Sequence, residues 1–250
     1  MKKYLVFIII LLFPFVAFLQ TDNLHSLDSD NDGLNDWEEI NLYYTDPNNP
    51  DTDFDGINDK VELDTYYSPH RGHGYLLEQL DWDKDGLNDL LELRFGSDLK
   101  NSDSDGDGYD DGLEIANDYS PVNPDPVKMR KSVKVDLNRQ RLGRYLNDIL
   151  LDEMIISGGV GNTTPVGQFF INNKHPRAWS NLAGLWMPNW MAFKGSMYGL
   201  HALPIWPDGS KEGLDVLGQP ASHGCIRLGD QDAENLYNWI NIGVPVLINK

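Results

Sequence analysis

The chain has little positive charge, a single cysteine and only one long hydrophobic run. Its 250 residues include 39 acidic residues against 20 lysines and arginines, and the formal net charge at pH 7 is −19. Such an excess of negative charge repels polyanions, which argues against nucleic acid as a partner and favours cations. One cysteine excludes an intramolecular disulfide and raises the question of what that thiol does.

The hydrophobic run lies at the N-terminus, at residues 4–19, directly after Lys2 and Lys3. A positive start followed by an apolar stretch of this length is typical of a signal peptide, and is slightly short for a membrane span. We therefore predict that residues 1–20 are a signal peptide or a retained membrane anchor. In either case the rest of the chain is expected to be exported to the cell envelope, and the retained form would make the membrane a partner.

The charge is unevenly distributed along the chain. Residues 21–126 carry 29 acidic and 5 basic residues, whereas residues 127–250 carry 10 and 13. Three prolines at the end of the acidic part stiffen the chain there. We predict an acidic region at 21–118, a proline-rich linker at 119–130 and a second domain at 131–250.

A twelve-residue pattern occurs four times in the acidic region. Each copy has acidic residues at positions 1, 3, 5, 9 and 12 and glycine at position 6. Oxygens at positions 1, 3 and 5 converge because the chain curls around a point, the glycine permits the sharp turn, and the glutamate at position 12 closes the shell. Carboxylate oxygens suit calcium better than softer metals. The candidate metal ligands are Asp28, Asp30, Asp32, Asp36, Glu39, Asp51, Asp53, Asp55, Asp59, Glu62, Asp81, Asp83, Asp85, Asp89, Glu92, Asp103, Asp105, Asp107, Asp111 and Glu114.

Position 8 of these loops is Asn35, Asn58, Asn88 and Asp110, where paired EF-hands usually carry an apolar residue. Paired EF-hand lobes with long helices are therefore not expected. The loops resemble the calcium repeats of thrombospondin type 3 and related bacterial modules. We expect calcium to be a structural cofactor that offsets the repulsion among the carboxylates, so that metal binding and folding are coupled. The alternative is a solvated acidic spacer that binds no metal.

The second half is predicted to be mainly β with one short helix near its end. Apolar and polar residues alternate from Val133 to Leu137, and residues 142–146 and 149–156 are predicted to continue as strands. Residues 231–240 have the pattern of an amphipathic helix with Asp230 as its N-cap, and a final strand follows.

The only thiol, Cys225, follows a glycine and lies two residues after a histidine. A free thiol has a pKa of about 8.5, so it needs a base or positive surroundings to attack an amide at neutral pH. Gly224 allows a tight turn that can direct backbone amides at an oxyanion, and His201 is a candidate base. Taken alone, a single cysteine is more often an inert buried thiol, and His201 is equally compatible with a core position.

Five blocks of this half resemble, in order, the catalytic domain of the L,D-transpeptidases. The blocks are residues 135–142, 164–169, 187–191, 198–202 and 217–228. The resemblance implies a β-sandwich-like catalytic fold, no cofactor for catalysis, and peptidoglycan stem peptides as the substrate. Cys225 would attack the carbonyl of the third, meso-diaminopimelyl-type residue of the stem peptide and release the fourth. His201 would be the general base and acid, oriented by a backbone carbonyl. The residues implied to line the oxyanion and substrate sites are His223, Gly224, Ser222 and Arg227.

Two features depart from the family pattern. Ala202 replaces the glycine that usually follows the upstream histidine, and the stretch from His201 to Ser222 is longer than in the tightest forms, with the extra length assigned to a polar loop at 207–213. We expect these features to change loop shape and substrate access, and not the chemistry.

The sequence leaves open whether an amine or water resolves the acyl-enzyme, which would make the protein a transpeptidase or an L,D-carboxypeptidase. An alternative from a different class is a calcium-stabilised adhesion or wall-binding module with an inactive catalytic domain. A papain-like protease is a third reading, and the residues around Cys225 do not match that family.

Overall fold

The computed structural model describes residues 25–72 and 74–250, and the chain divides into two compact units. The repeat unit runs up to Ile115 and includes Pro121–Pro124; the C-terminal unit comprises Ala116–Ser120 and Asp125–Lys250.

Residues 119–130, where a linker is predicted, contain neither helix nor strand. The expected signal peptide or anchor at 1–20 lies outside the described residues. Among the residues that are described, no helix combines the length and the hydropathy needed to cross a membrane.

In the repeat unit a short helix follows each acidic loop. These helices are α1 (Asp36–Glu38), which continues as a π-helical turn at Glu39–Tyr43, α2 (Asp59–Asp64), α3 (Asp89–Phe95) and α4 (Asp111–Ala116); Leu77–Gln79 form a 3₁₀ turn. The side chains of Asn35, Asn58 and Asn88 accept hydrogen bonds from the third helical amide, so they are N-caps. In these three loops the polar residue at position 8 therefore starts a helix. The helices are short, as expected for loops that are not paired EF-hands.

The repeat unit has a small apolar core. Its buried apolar residues are Leu34, Leu77, Leu87, Leu90, Phe95, Leu99 and Ile115. The ammonium of Lys100 lies 3.9 Å from the ring centroid of Tyr44 and 4.2 Å from that of Trp82. His70 packs edge-on against Trp82 and lies 2.7 Å from the carbonyl of Tyr43. Aromatic and cation–π contacts thus supplement a limited hydrophobic core.

The C-terminal unit is built on a nine-stranded sheet. The strands are β1 (Lys131–Asp136), β2 (Arg141–Leu146), β3 (Ile149–Ser157), β4 (Gly167–Phe170), β5 (Asn173–Ser180), β6 (Leu185–Lys194), β7 (Tyr198–Ala202), β8 (Ile226–Leu228) and β9 (Pro245–Asn249). Their order across the sheet is β4-β9-β1-β2-β3-β8-β7-β6-β5. The pairs β1–β9 and β7–β8 are parallel and the other neighbours are antiparallel. Short 3₁₀ turns lie at Val160–Asn162 and Leu214–Val216.

One hydrophobic core joins the two halves of this sheet. It draws Val133 from β1 and Val246 from β9, together with Leu200 from β7 and Ile226 from β8. The sheet therefore curls around a shared interior, and the prediction of a mainly β, sandwich-like fold with a C-terminal helix is confirmed.

That helix, α5 (Asp230–Trp239), turns Ala233 and Leu236 towards the core, and Ile240 after it is also buried. The sequence-based helix start is wrong by one residue. The N-cap is Gly229, with no side-chain cap hydrogen bond, and Asp230 is the first helical residue. At this position its negative charge still suits the N-terminal end of the helix dipole.

Candidate functional site

The register of strands β7 and β8 brings three chemically active side chains together. His201 on β7 is paired directly with Arg227 on β8. Cys225 precedes Arg227 by two residues, and side chains two apart along an extended chain point to the same side. All three line one cavity of about 530 Å³, which is also bordered by Trp190 and His223.

His201 is a buried, neutral imidazole with a fixed orientation. Its Nδ1 lies 2.6 Å from the carbonyl oxygen of Ala202, which can only accept, so Nδ1 carries the proton and Nε2 keeps its lone pair. Burial lowers the pKa of His201 to about 4; the Ala202 hydrogen bond opposes this shift and the charge of Arg227 adds to it. The residue therefore offers a free basic nitrogen at neutral pH, with a backbone carbonyl in the orienting position.

Cys225 is half-buried, and its Sγ lies 3.8 Å from the carbonyl oxygen of Met197. Burial raises the pKa of the thiol, whereas a backbone hydrogen bond at Gly199 and the charge of Arg227 lower it. The balance is a raised pKa, so the resting side chain is a thiol that needs a base before it can act as a nucleophile.

Ser222 and Gly224 shape the turn that carries the thiol. The Ser222 hydroxyl donates to the Cys225 carbonyl at 2.5 Å and accepts from the Gly224 amide at 3.0 Å. Gly224 has φ +134°, and a Cβ there would lie 2.7 Å from the Tyr198 ring and 3.0 Å from the Thr163 carbonyl oxygen. Ser222 is thus a brace for the turn. The Gly224 amide donates to this hydroxyl, and Gly224 supplies the turn next to Cys225.

Arg227 takes part in a buried ion pair that sequence reasoning missed. Its Nη1 lies 2.8 Å from Oε1 of Glu212 and 3.2 Å from the carbonyl oxygen of Ala221. The two side chains are only 10% and 14% exposed. Glu212 belongs to the segment that the sequence reading treated as a polar loop, and no sequence pattern distinguishes it from Asp208 or Asp215 nearby.

The acidic loops bring the carboxylates of positions 1, 3 and 5 together in all four repeats. In each loop one oxygen from each of these aspartates lies within 4.8 Å of the others. In the first loop, backbone amides of Asp32 and Gly33 donate to Asp28, which fixes the curl of the chain. The position-6 glycines have φ between +96° and +101°, the left-handed region that this turn requires.

The glutamates at position 12 are buried beside these clusters. Glu92 is fully buried, and neither of its carboxylate oxygens has a hydrogen-bond partner within the described residues. Burial and the neighbouring aspartates raise the pKa of Glu92 to about 9 and that of Glu62 to about 8. The same causes raise the pKa values of Glu39 and Glu114 to about 7. Converging hard oxygens with unpaired buried carboxylates form a donor set that fits a calcium ion.

The aspartates at position 9 have a different use. Their side chains accept hydrogen bonds from the residue at position 2 of the same loop, which ties the loop to the start of its helix. The pairs are Ser29 with Asp36, Thr52 with Asp59, Trp82 with Asp89 and Ser104 with Asp111. In three of the four pairs, both carboxylate oxygens of the position-9 aspartate accept such hydrogen bonds. In the structure these aspartates therefore hold the loop to its helix, whereas the sequence pattern groups them with the aspartates at positions 1, 3 and 5.

The third and fourth loops touch each other. The amide of Gly112, at the start of α4, donates to Oδ2 of Asp85 at 2.7 Å. A Cβ on Gly112 would lie 2.6 Å from the carbonyl oxygen of Asp85. The first turn of α4 therefore rests on the third loop with no room for a side chain.

Models of two known families match different parts of the chain. The family model of the L,D-transpeptidase catalytic domain (YkuD) matches residues 130–248. The YkuD protein of Bacillus subtilis is 27% identical over 131 residues, which cover 52% of this chain and 73% of that protein. The YkuD protein of Bacillus licheniformis is 29% identical over 127 residues, which cover 50% and 68%. Residues 130–248 are a YkuD-type L,D-transpeptidase catalytic domain.

Solved L,D-transpeptidases overlap with the chain only in part. The enzyme from Mycobacterium smegmatis has a TM-score of 0.42 and 20% identity, over 49% of this chain and 60% of that one. The enzyme from Stackebrandtia nassauensis has a TM-score of 0.42 and 25% identity, over 56% and 66%. The chain thus spans less than two thirds of either structure, and the assignment rests on the family model and the two Bacillus relatives.

The model of the bacterial TSP3 repeat matches residues 28–50 and 103–117. These ranges contain the first and fourth acidic loops. The second and third loops share the same spacing and the same converging carboxylates. The L,D-transpeptidase domain is therefore preceded by TSP3-type repeats.

Proposed function

We propose that the protein is an exported peptidoglycan L,D-transpeptidase that uses Cys225 as its nucleophile. The observation that carries this proposal is the placement of Cys225 and His201 on one face of β7 and β8, lining one cavity, with His201 neutral and its Nδ1 occupied. Peptidoglycan lies outside the cytoplasmic membrane, which accords with the predicted leader at residues 1–20.

In the proposed reaction His201 takes the proton of the Cys225 thiol, and Sγ attacks the carbonyl carbon of the third stem residue. The Sγ–C bond forms, the C–N bond to the fourth residue breaks, and the imidazolium returns the proton to the leaving amine. An acceptor amine then attacks the thioester carbonyl, so that a new C–N bond forms, the Sγ–C bond breaks, and the proton of the amine passes through His201 back to Sγ, which completes a cross-link. Water in its place gives L,D-carboxypeptidase activity.

The turn around the thiol supports the remaining roles. We assign the backbone amide of Cys225 to the oxyanion, since the Gly224 amide is held by Ser222. His223 is exposed at the cavity and is assigned to substrate contact. Arg227 orders the site from its buried position.

The decisive experiment uses disaccharide-tetrapeptides and mass spectrometry. Wild-type protein is expected to release the terminal D-alanine, and Cys225→Ala to lose at least about 10³-fold of that activity. A covalent adduct of the wild type, heavier by the disaccharide-tripeptidyl acyl group, is expected to be absent from Cys225→Ala. Turnover that survives in Cys225→Ala contradicts the assigned nucleophile. A folded wild type without turnover favours a wall-binding module with an inactive domain.

We further propose that the repeat loops bind calcium through positions 1, 3, 5 and 12. The support is the set of converging carboxylates and the buried, unpartnered glutamates, of which Glu92 is the clearest case. Extracellular calcium modules bind at about 10⁻⁴–10⁻³ M, so calorimetric titration in that range tests the proposal. Glu92→Gln is expected to remove one site. Asp64→Asn, an exposed carboxylate outside the loops, is the matched control and is expected to leave binding unchanged.

A further inference from the structure

Arg227 places a positive charge beside both reacting groups. It is paired in register with His201 and lies two residues after Cys225 on the same side of the strand. A cation there favours the thiolate of Cys225 and disfavours protonated His201. The proposed reaction requires His201 to become protonated for part of the cycle, and an uncompensated Arg227 would oppose that step.

Glu212 offers the compensating charge from a fixed position. Its carboxylate is 2.8 Å from the guanidinium, and both side chains are largely buried. Its backbone amide donates to the carbonyl of Pro204 at 3.1 Å. The neighbouring Lys211 forms a β-bridge with Ile205 and an ion pair with Asp230. The segment of extra length between His201 and Ser222 is therefore anchored at several points and delivers one acidic group to the site.

We propose that Glu212 is a positioning residue of the transpeptidase site, which holds the Arg227 guanidinium and offsets its charge. Proton transfer from Cys225 to His201 then creates an imidazolium beside a neutral ion pair instead of beside a bare cation. The other titratable groups that line the cavity near the thiol are His223 and Tyr198. Of the acidic residues in the surrounding loop, Glu212 is the one paired with Arg227. This inference deepens the proposed function and rests on it.

The test measures how the rate of Cys225 alkylation by iodoacetamide depends on pH, with the full chain and without any peptidoglycan. Glu212→Gln keeps the shape of the side chain and removes its charge. It is expected to move the midpoint of thiol ionisation to lower pH by roughly half a unit or more, because the unopposed Arg227 favours the thiolate. Asp208→Asn removes an exposed charge from the same loop and is expected to move the midpoint by less than about 0.2 unit.

Repeating the Glu212 substitution in protein that lacks the Arg227 charge shows whether Glu212 acts through Arg227. In Arg227→Gln protein, the added Glu212→Gln change is expected to leave the thiol midpoint where the single Arg227→Gln variant has it, or to move it by a clearly smaller amount. Glu212→Asp keeps the charge on a shorter side chain, and a smaller shift in the same direction is expected. If Glu212→Gln does not fold, the thiol midpoint of Glu212→Asp is compared with that of the wild type instead.

Equal midpoints in wild type and folded Glu212→Gln overturn the proposal. So does an undiminished shift in the Arg227→Gln background, which would mean that Glu212 acts on the thiol directly. Because iodoacetamide reports on the thiol itself, these outcomes can be read even if the protein proves inactive on stem peptides, and failure of the proposed function is therefore distinguishable from failure of this inference.

Discussion

The repeat unit and the L,D-transpeptidase domain both bury polar side chains, but they satisfy them differently. In the domain, the buried His201 and Ser222 bond to neighbouring backbone atoms, and the charge of Glu212, which has one unpartnered oxygen, is paired with that of Arg227. In the repeat unit, the buried Glu92 has both oxygens without a partner among the described residues, and Glu39 has one. A buried carboxylate without a partner is costly unless a cation compensates it.

The comparison shows two ways of building a stable unit. The domain has a continuous apolar interior formed from both halves of a nine-stranded sheet. The repeat unit has a small apolar core and clusters of like charges that repel one another. Under the proposed function, bound calcium stabilises the folded repeats, whereas hydrophobic burial stabilises the folded domain.

The largest expected difference between the units is their response to a chelator. With excess EGTA, the repeat unit is expected to lose its cooperative unfolding transition and become sensitive to protease between residues 28 and 118, since the carboxylates would repel without metal. The transpeptidase domain is expected to keep its transition. Limited proteolysis with mass spectrometry, with and without calcium, measures both. Identical digestion patterns in the two conditions would contradict the role assigned to calcium.

The next largest expected effect is the loss of stability caused by a substitution inside the domain. Gly224→Ala places a methyl group against Tyr198 and the Thr163 carbonyl in a strained backbone conformation. We expect a loss of about 3–5 kcal/mol in the free energy of unfolding and a large fall in activity. Gly229→Ala is the control, because its Cβ would meet only ordinary contacts at 3.7 Å. Urea unfolding of both variants gives the comparison, and equal losses would show that the turn tolerates a side chain.

Acid is expected to weaken the domain through His201. The fold holds this imidazole neutral, because burial lowers its pKa from the ordinary 6.5 to about 4. The contribution of neutral His201 to the free energy of unfolding is therefore complete above about pH 6.5. It is lost as the pH falls towards 4, and the total loss is about 3 kcal/mol. Urea unfolding followed by tryptophan fluorescence, in a Trp37→Phe/Trp82→Phe background that leaves tryptophans only in the domain, measures this dependence. In His201→Gln the slope over this interval is expected to flatten; an unchanged slope would assign the acid sensitivity to another group.

The smallest expected effect probes the contact between the third and fourth loops. Gly112→Ala is expected to destabilise the calcium-loaded repeat unit by about 1–3 kcal/mol, because the new methyl group clashes with the Asp85 backbone. Lys60→Ala, at the equivalent position of the second loop, is expected to change stability by less than about 0.5 kcal/mol. Thermal unfolding in calcium measures both. Similar effects of the two substitutions would mean that the third and fourth loops are no more tightly joined than the first and second.

Much of this arrangement was predictable from local sequence. The loop spacing predicts the converging aspartates at positions 1, 3 and 5, and the alternation of apolar residues predicts β1. The use of Asn35 as a helix cap was missed, because the EF-hand comparison treated position 8 as a core position. The helix start at Asp230 was misplaced by one residue, since an acidic residue is suited to the cap and to the first turn alike.

Other features depend on long-range pairing and had no local signal. The parallel register of His201 with Arg227 joins strands that are separated by a long loop, and only the folded sheet defines it. Glu212 becomes part of the site because its loop folds back onto β8. The extra length of the loop can be seen in the sequence, but the sequence does not show that Glu212 is the loop residue that contacts Arg227.

The position of β8 has a consequence for motion. This three-residue strand is hydrogen-bonded on both sides, to β3 and to β7, in the middle of the sheet. Its amides can exchange with deuterated solvent only if a central part of the sheet opens, so they are expected to be among the slowest of the domain. Cys225, the proposed nucleophile, immediately precedes this segment and is thereby joined to the part of the domain that is expected to fluctuate least.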